Sequence, residues 1–88
     1  MKIKLKESLE LIPLDDDSMA IFDPTDETTH FFEGTGYSIV KAVADGITES
    51  DSLVAALCEE YSATYDEIYE DAVSFLQRLV DMKVMIAL

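Results

Sequence analysis

The alternation of apolar and polar residues divides the chain into a first third typical of strands and a helical remainder. Short runs at 9–14, 19–22 and 28–32 have strand length and composition, and acidic or proline-containing turns at 15–18 and 23–26 separate them. Two tight turns between three strands predict an antiparallel meander. The first and third strands are then the edges of the sheet unless another element covers them.

Two helices are predicted after the strands. Thr35 is placed to cap a helix over 36–45, and Gly46 is suited to the left-handed position that ends it. Thr48 is placed to cap a second helix over 49–60, which carries one apolar stripe.

A third, longer helix is predicted over about 65–82. Thr64 and Glu67 have the spacing of a capping box, which satisfies two backbone amides at a helix start. The helix carries two adjacent apolar stripes, one at 68, 72, 75 and 79 and one at 65, 69, 73, 76 and 80. Because one stripe is enough to dock a helix, the second predicts burial on two sides or a groove for a partner. Residues 84–88 form a short closing strand or an apolar tail.

Composition and charge narrow the class of protein. The 88 residues fit a single domain spanning 1–88. With 19 acids against six bases the net charge is −13, which disfavours nucleic-acid phosphates and attracts basic partners. No apolar run approaches the roughly 20 residues of a membrane span. Neither a signal peptide nor a membrane contact is therefore predicted, and the single Cys58 suits a reducing cytoplasm.

No catalytic or metal-binding constellation is present in the sequence. One His and one Cys are too few for a zinc site, and His30 lies mid-strand with no nucleophile placed beside it. The glycines of 34–36 lack the Lys-Ser/Thr of a phosphate loop, and the acidic turn 15–17 lacks the Gly and distal Glu of a calcium loop. We therefore predict no enzyme activity, no metal and no cofactor.

The order of elements is similar to a winged helix-turn-helix unit. The landmarks are the Phe-Phe-Glu-Gly-Thr-Gly segment at 31–36, Ile39, Asp45-Gly46, and the segment 71–79 of the last helix. On these residues the chain, from about 8 to 86, resembles the pyrroloquinoline-quinone biosynthesis protein D-like (PqqD-like) domains, also called RiPP recognition elements. The fold class expected is α+β and winged helix-turn-helix-like, with a three-stranded antiparallel sheet followed by three helices.

Three positions depart from the family pattern. Glu33 stands where the family often has Asn, and Val40 lies near a common aromatic position. Lys83 occupies the place of the Gly that usually precedes the final apolar residues. These departures leave the proposed groove in place but do not point to a particular pathway.

The resemblance implies a binding function without catalysis. Such domains hold the leader segment of a ribosomally synthesised precursor peptide and present it to a separate modifying enzyme, such as a radical enzyme, a cyclase or a protease. The leader adds as a strand beside the third strand and lies over the last helix.

The residues themselves favour the same geometry. An open strand edge recruits an extended peptide through backbone hydrogen bonds, and the second stripe of the third helix would supply apolar pockets. Acids near the site, Glu33 among them, favour a basic or amphipathic leader. The candidate peptide-binding residues are Glu27, Thr28, Thr29, His30, Phe31, Phe32, Tyr65, Asp66, Tyr69, Glu70, Val73 and Leu76. Alternatively, the apolar members on the third helix complete the core.

Two other functions fit the same predicted fold. A winged-helix regulator would bind DNA or a transcription protein, although the third helix carries more acids than bases. An acidic DNA mimic would instead inhibit a basic partner. Either a monomer or a dimer is compatible with the apolar residues 84–88.

Overall fold

Five strands and three helices make up the chain, and the computed structural model describes all residues from 1 to 88. The elements are β1 (Ile3–Leu5), β2 (Glu10–Asp15), β3 (Ser18–Asp23), β4 (Thr28–Glu33), α1 (Gly34–Ala44), α2 (Ser50–Tyr61), α3 (Tyr65–Asp81) and β5 (Met85–Ala87). Strands β2, β3 and β4 form an antiparallel sheet in that order. The predicted α+β class, with a three-stranded sheet followed by three helices, is confirmed.

A second, two-stranded sheet joins the ends of the chain. β1 pairs antiparallel with β5, so that Ile3 lies opposite Ala87 and Leu5 opposite Met85. The choice between a closing strand and a tail for 84–88 is thereby decided in favour of a strand. β1 is not among the predicted strands, because three residues alternating with lysines become a strand only through a partner at the far end of the chain.

The starts of α1 and α2 differ from the predicted capping residues. β4 runs into α1 without a loop, and the left-handed Gly34 (φ 58°) makes the turn, so Thr35 already lies inside the helix. At α2 the backbone carbonyl of Thr48 accepts the amide of Ile3 at 2.8 Å, which ties this residue to β1, and the helix begins at Ser50. The predicted end of α1 is confirmed, since Gly46 has φ 116° directly after the helix.

The two ends of α3 follow local chemistry. The Thr64 hydroxyl accepts a hydrogen bond from the Glu67 amide at 3.4 Å, and the Glu67 carboxylate accepts one from the Thr64 amide at 3.3 Å. The predicted capping box is therefore confirmed. At the other end Lys83 adopts φ 63°, a left-handed conformation that favours glycine. This backbone requirement explains physically why a Gly suits the position.

One hydrophobic core joins the sheet, the helices and the β1–β5 pair. Fifteen buried residues form it: Ile3, Met19, Ile21, Phe32, Ile39, Val40, Val43, Leu53, Val54, Leu57, Ala72, Leu76, Leu79, Val84 and Met85. The stripe of α3 that is most buried combines residues from both predicted stripes, namely Ala72, Leu76 and Leu79. No helix has both the length and the apolar character needed to cross a bilayer.

Candidate functional site

The three-stranded sheet has two edges, and only one of them is open along its length. β2, at one edge, contains Pro13, which has no amide hydrogen to donate, and its pairing with β3 shifts register between Pro13 and Asp15. β4, at the other edge, contains no proline and pairs in continuous register with β3 from Thr28 to Glu33. The backbone groups on the outer side of β4 are thus available to a further strand.

Side chains alternate along β4 between the core and the opposite face of the sheet. Phe32 is 8% exposed and belongs to the core, and His30, on the same side, is half-buried. Thr29 and Phe31 lie on the other side, where Phe31 is 73% exposed. A strand added beside β4 would therefore present alternate side chains to two different surfaces.

A cleft of about 500 Å³ opens where β4 passes into α1. It lies between the first turns of α1, the C-terminal end of α2 and one side of α3. Its lining residues are Thr35, Gly36, Ile39, Leu57, Tyr61, Ala63, Glu67, Ile68, Asp71, Ala72, Phe75 and Arg78. We call it the Phe75 cleft.

Phe75 is the residue at which β4, α1 and α3 meet. Its ring lies edge-on to that of Phe32, with centroids 6.2 Å apart at 77°. It also lies against Gly36 in the first turn of α1, where an added Cβ would come within 3.2 Å of the ring. The absence of a side chain at Gly36 lets the aromatic ring approach the helix backbone. The lining of the cleft contains no β4 residue, and the cleft is linked to the strand through Phe75, whose ring contacts Phe32.

The charged residues of the cleft are of both signs. Glu67 and Asp71 lie toward the N-terminal part of α3, and Arg78 lies about two turns beyond Asp71. The Arg78 guanidinium is 5.5 Å from the centroid of the Phe75 ring, a cation–π arrangement. The ion pairs of the chain involve Lys2, Lys4, Lys6 and Lys41 and not Arg78.

Neither of the tyrosines predicted to bind peptide lines the Phe75 cleft. Tyr65 donates a hydrogen bond from its hydroxyl to Asp51 of α2 at 2.9 Å, and its ring stacks on Tyr69 with centroids 5.4 Å apart. This bond to a carboxylate raises the pKa of Tyr65. Successive helical residues are about 100° apart, which places Tyr69 and Phe75 on opposite sides of the buried stripe. The Phe75 cleft is therefore not lined by Tyr65 or Tyr69.

The other predicted site residues occupy three kinds of position. Glu27 is exposed in the β3–β4 turn with φ 57°. Asp66 and Glu70 are exposed on α3 outside the lining of the cleft, and Val73 is half-buried on the Tyr69 flank. Leu76 is 0% exposed, so its side chain belongs to the core and does not reach the surface.

Sequence reasoning missed the residues that line the cleft beside β4. Ile68, Ala72 and Phe75 belong to the first apolar stripe of the predicted helix, and the second stripe was the one predicted to bind peptide. Gly36, in the first turn of a helix, is a usable signal, because a glycine there marks a close approach by another element. No group of three or more His, Cys, Asp or Glu side chains is placed to hold a metal ion.

Comparison with known proteins identifies the family. The profile of a family described as "Coenzyme PQQ synthesis protein D (PqqD)" matches residues 18–84. The chain belongs to this family. The predicted PqqD-like resemblance is thereby confirmed, over a segment that runs from β3 through α3 to Val84.

A solved structure shares the PqqD fold seen here. It is described as "TbiB1 in Complex with the TbiA(beta) Leader Peptide", and it superposes with a TM-score of 0.86 over 97% of this chain and 96% of that one. The sequences are 20% identical, so the likeness is one of fold. The comparison with curated protein sequences gave no match.

Proposed function

We propose that this PqqD-family chain is a non-catalytic binding domain for the leader segment of a ribosomally synthesised precursor peptide, which it presents to a separate modifying enzyme. The observation that carries the proposal is the open edge of β4, which runs straight into α1, whose first turn lines a largely apolar cleft. The family membership and a fold shared with a protein described in complex with a leader peptide support it.

The leader would bind as an additional strand on β4. Its backbone would pair with the outward amides and carbonyls between Thr28 and Glu33, which supplies affinity with little dependence on sequence. Alternate side chains would reach the Phe75 cleft, and the others would lie beside the exposed Phe31. The β4 residues predicted from the sequence to bind the leader are kept in this proposal. On α3, the residues proposed to contact the leader are those of the flank that carries Ile68 and Phe75, in place of the predicted tyrosines.

A binding titration tests the proposal. The probe is a fluorescein-labelled synthetic leader copied from a precursor encoded beside this gene, measured by fluorescence polarisation, with a scrambled peptide of the same composition as the control. We expect saturable binding of the leader and none of the scrambled peptide. The absence of saturable binding below about 100 μM, which corresponds to about 5.5 kcal/mol, would contradict the function.

A matched pair of proline variants tests strand addition. Neighbouring residues of an edge strand direct their amides alternately inward and outward, so Thr29 and His30 contribute one of each. Proline at the outward position removes only an amide that the leader would use, and we expect that variant to fold and to lose leader binding. Proline at the inward position breaks the pairing with β3 and should lower the melting temperature. If both variants fold and bind equally well, the leader does not add to β4.

A further inference from the structure

We infer that the Phe75 cleft selects leaders by an ordered charge pattern. The cleft would bind a basic leader residue beside the N-terminal part of α3, an apolar residue at its centre and an acidic residue beside Arg78. The inference rests on the proposed leader binding and adds the chemistry that the cleft accepts. It differs from the expectation drawn from net charge alone, because a chain with 19 acids and six bases would be expected to favour basic segments throughout.

The centre of the cleft is apolar. Ile68, Ala72 and Phe75 of α3 line it together with Ile39 of α1, and the tip of the Phe75 ring packs against the backbone at Gly36. Ile68 and Phe75 are only partly buried, so they retain surface that an apolar leader side chain would cover. Covering such surface is favourable by about 25 cal/mol for each Å² removed from water.

One end of the cleft is negative. Asp71 is exposed and takes part in no ion pair or side-chain hydrogen bond of the chain. Glu67 lies one turn before it, with one carboxylate oxygen held by the Thr64 amide. Asp71 and the second carboxylate oxygen of Glu67 are therefore available to a Lys or Arg of the leader, and Asp71 is the nearer to the apolar centre.

The other end is positive, against the charge of the whole chain. Four of the six bases form ion pairs, which leaves Arg78 and Lys83 without one. Arg78 lines the cleft, and its guanidinium lies over the Phe75 ring rather than on a carboxylate. A planar guanidinium held in this way presents its remaining donors to an incoming carboxylate, which it binds in bidentate geometry.

The spacing along α3 fits a short extended segment. Arg78 lies seven positions after Asp71, which is about 10 Å along a helix axis. Same-face residues of a strand are about 6.7 Å apart at i and i+2 and about 13 Å apart at i and i+4. With the reach of the long charged side chains, the three features of the cleft match a pattern of base, any residue, apolar residue, any residue, acid.

A displayed library of random dodecapeptides tests the inference even before the natural leader is identified. The library is selected on the wild-type chain, and the enriched peptides are resynthesised with the acid of the pattern replaced by Lys. Each peptide pair is titrated by fluorescence polarisation against wild type, Arg78→Glu and the charge-matched control Lys83→Glu, whose residue lies outside the cleft. Circular dichroism confirms that each variant folds.

We expect the acid-to-Lys change to weaken binding to wild type by tenfold or more, and Arg78→Glu to reverse that preference. Lys83→Glu should leave it unchanged. A different result would overturn the charge order and leave the proposed function intact. In that result the peptides fail to bind the outward proline variant of β4, but the acid and Lys versions bind wild type equally well. If no enriched peptide depends on β4, strand addition on β4 fails and the charge order, which rests on it, fails with it; the titration with the natural leader then tests the proposed function separately.

Discussion

Leu76→Ala tests whether Leu76 of α3 belongs to the hydrophobic core or to a binding surface. Leu76 is 0% exposed, and the change removes three buried carbons. At about 0.8 kcal/mol for each buried methylene, transfer alone costs about 2.4 kcal/mol, and the cavity left behind brings the loss to about 3–5 kcal/mol. An 88-residue domain typically has about 4–13 kcal/mol in total, so the substitution should remove between about a quarter and nearly all of the free energy of unfolding.

Urea unfolding followed by circular dichroism measures this loss, and Tyr69→Ala is the control on the same helix. Tyr69 is 39% exposed and contributes mainly its stack on Tyr65, so its removal should cost about 1 kcal/mol. A thermal scan of Leu76→Ala should show a melting temperature lower by about 12–40 °C. A loss below about 1 kcal/mol, or one no larger than that of Tyr69→Ala, would refute the placement of Leu76 in the core.

Two further predictions concern the end of α3 and the response to acid. Because Lys83 has φ 63°, Lys83→Gly should raise the free energy of unfolding by about 0.5–1 kcal/mol, whereas Lys83→Ala should not; equal stabilities would argue against backbone strain there. Asp23 accepts a hydrogen bond from Lys6 at 2.9 Å, and this bond lowers the pKa of Asp23. The bond therefore stabilises the fold at pH values above the ordinary carboxyl pKa of about 3.9, and its contribution is lost as the pH falls through the lowered pKa. Unfolding measured from pH 2 to 6 should show a shallower acid loss for Asp23→Asn than for wild type, and parallel profiles would count against the pair.

The asymmetry of the sheet edges explains why one chain offers a single place for strand addition. β2 and β4 are both edges, but Pro13 and the shifted register interrupt β2, whereas β4 is continuous and ends at the Phe75 cleft. Natural sheets protect an edge in this way against unwanted pairing. The open edge therefore belongs to the strand that leads directly into α1, which lines the cleft.

Local features of the sequence were sufficient to predict most elements and the family. The capping box at Thr64 and Glu67, the left-handed Gly46 and the turn-separated strands each depend on residues a few positions apart. The strand edge of the candidate site was also predicted, since element order alone places residues 28–32 last in the meander. The starts of α1 and α2 were wrong by one or two residues because neighbouring strands, rather than threonine side chains, determine them.

Only the tertiary structure decided which flank of α3 faces β4. The period of 3.6 residues revealed two adjacent apolar stripes, but a periodicity carries no information on where α1, α2 and β4 lie around the helix. In the folded chain Asp51 of α2 accepts a hydrogen bond from the hydroxyl of Tyr65 at the start of α3, and Phe32 of β4 contacts Phe75 on one flank of that helix. The pairing of β1 with β5 was hidden for the same reason, because it joins opposite ends of the chain. Contacts within one turn are encoded locally, whereas contacts between distant elements follow from how the whole core packs.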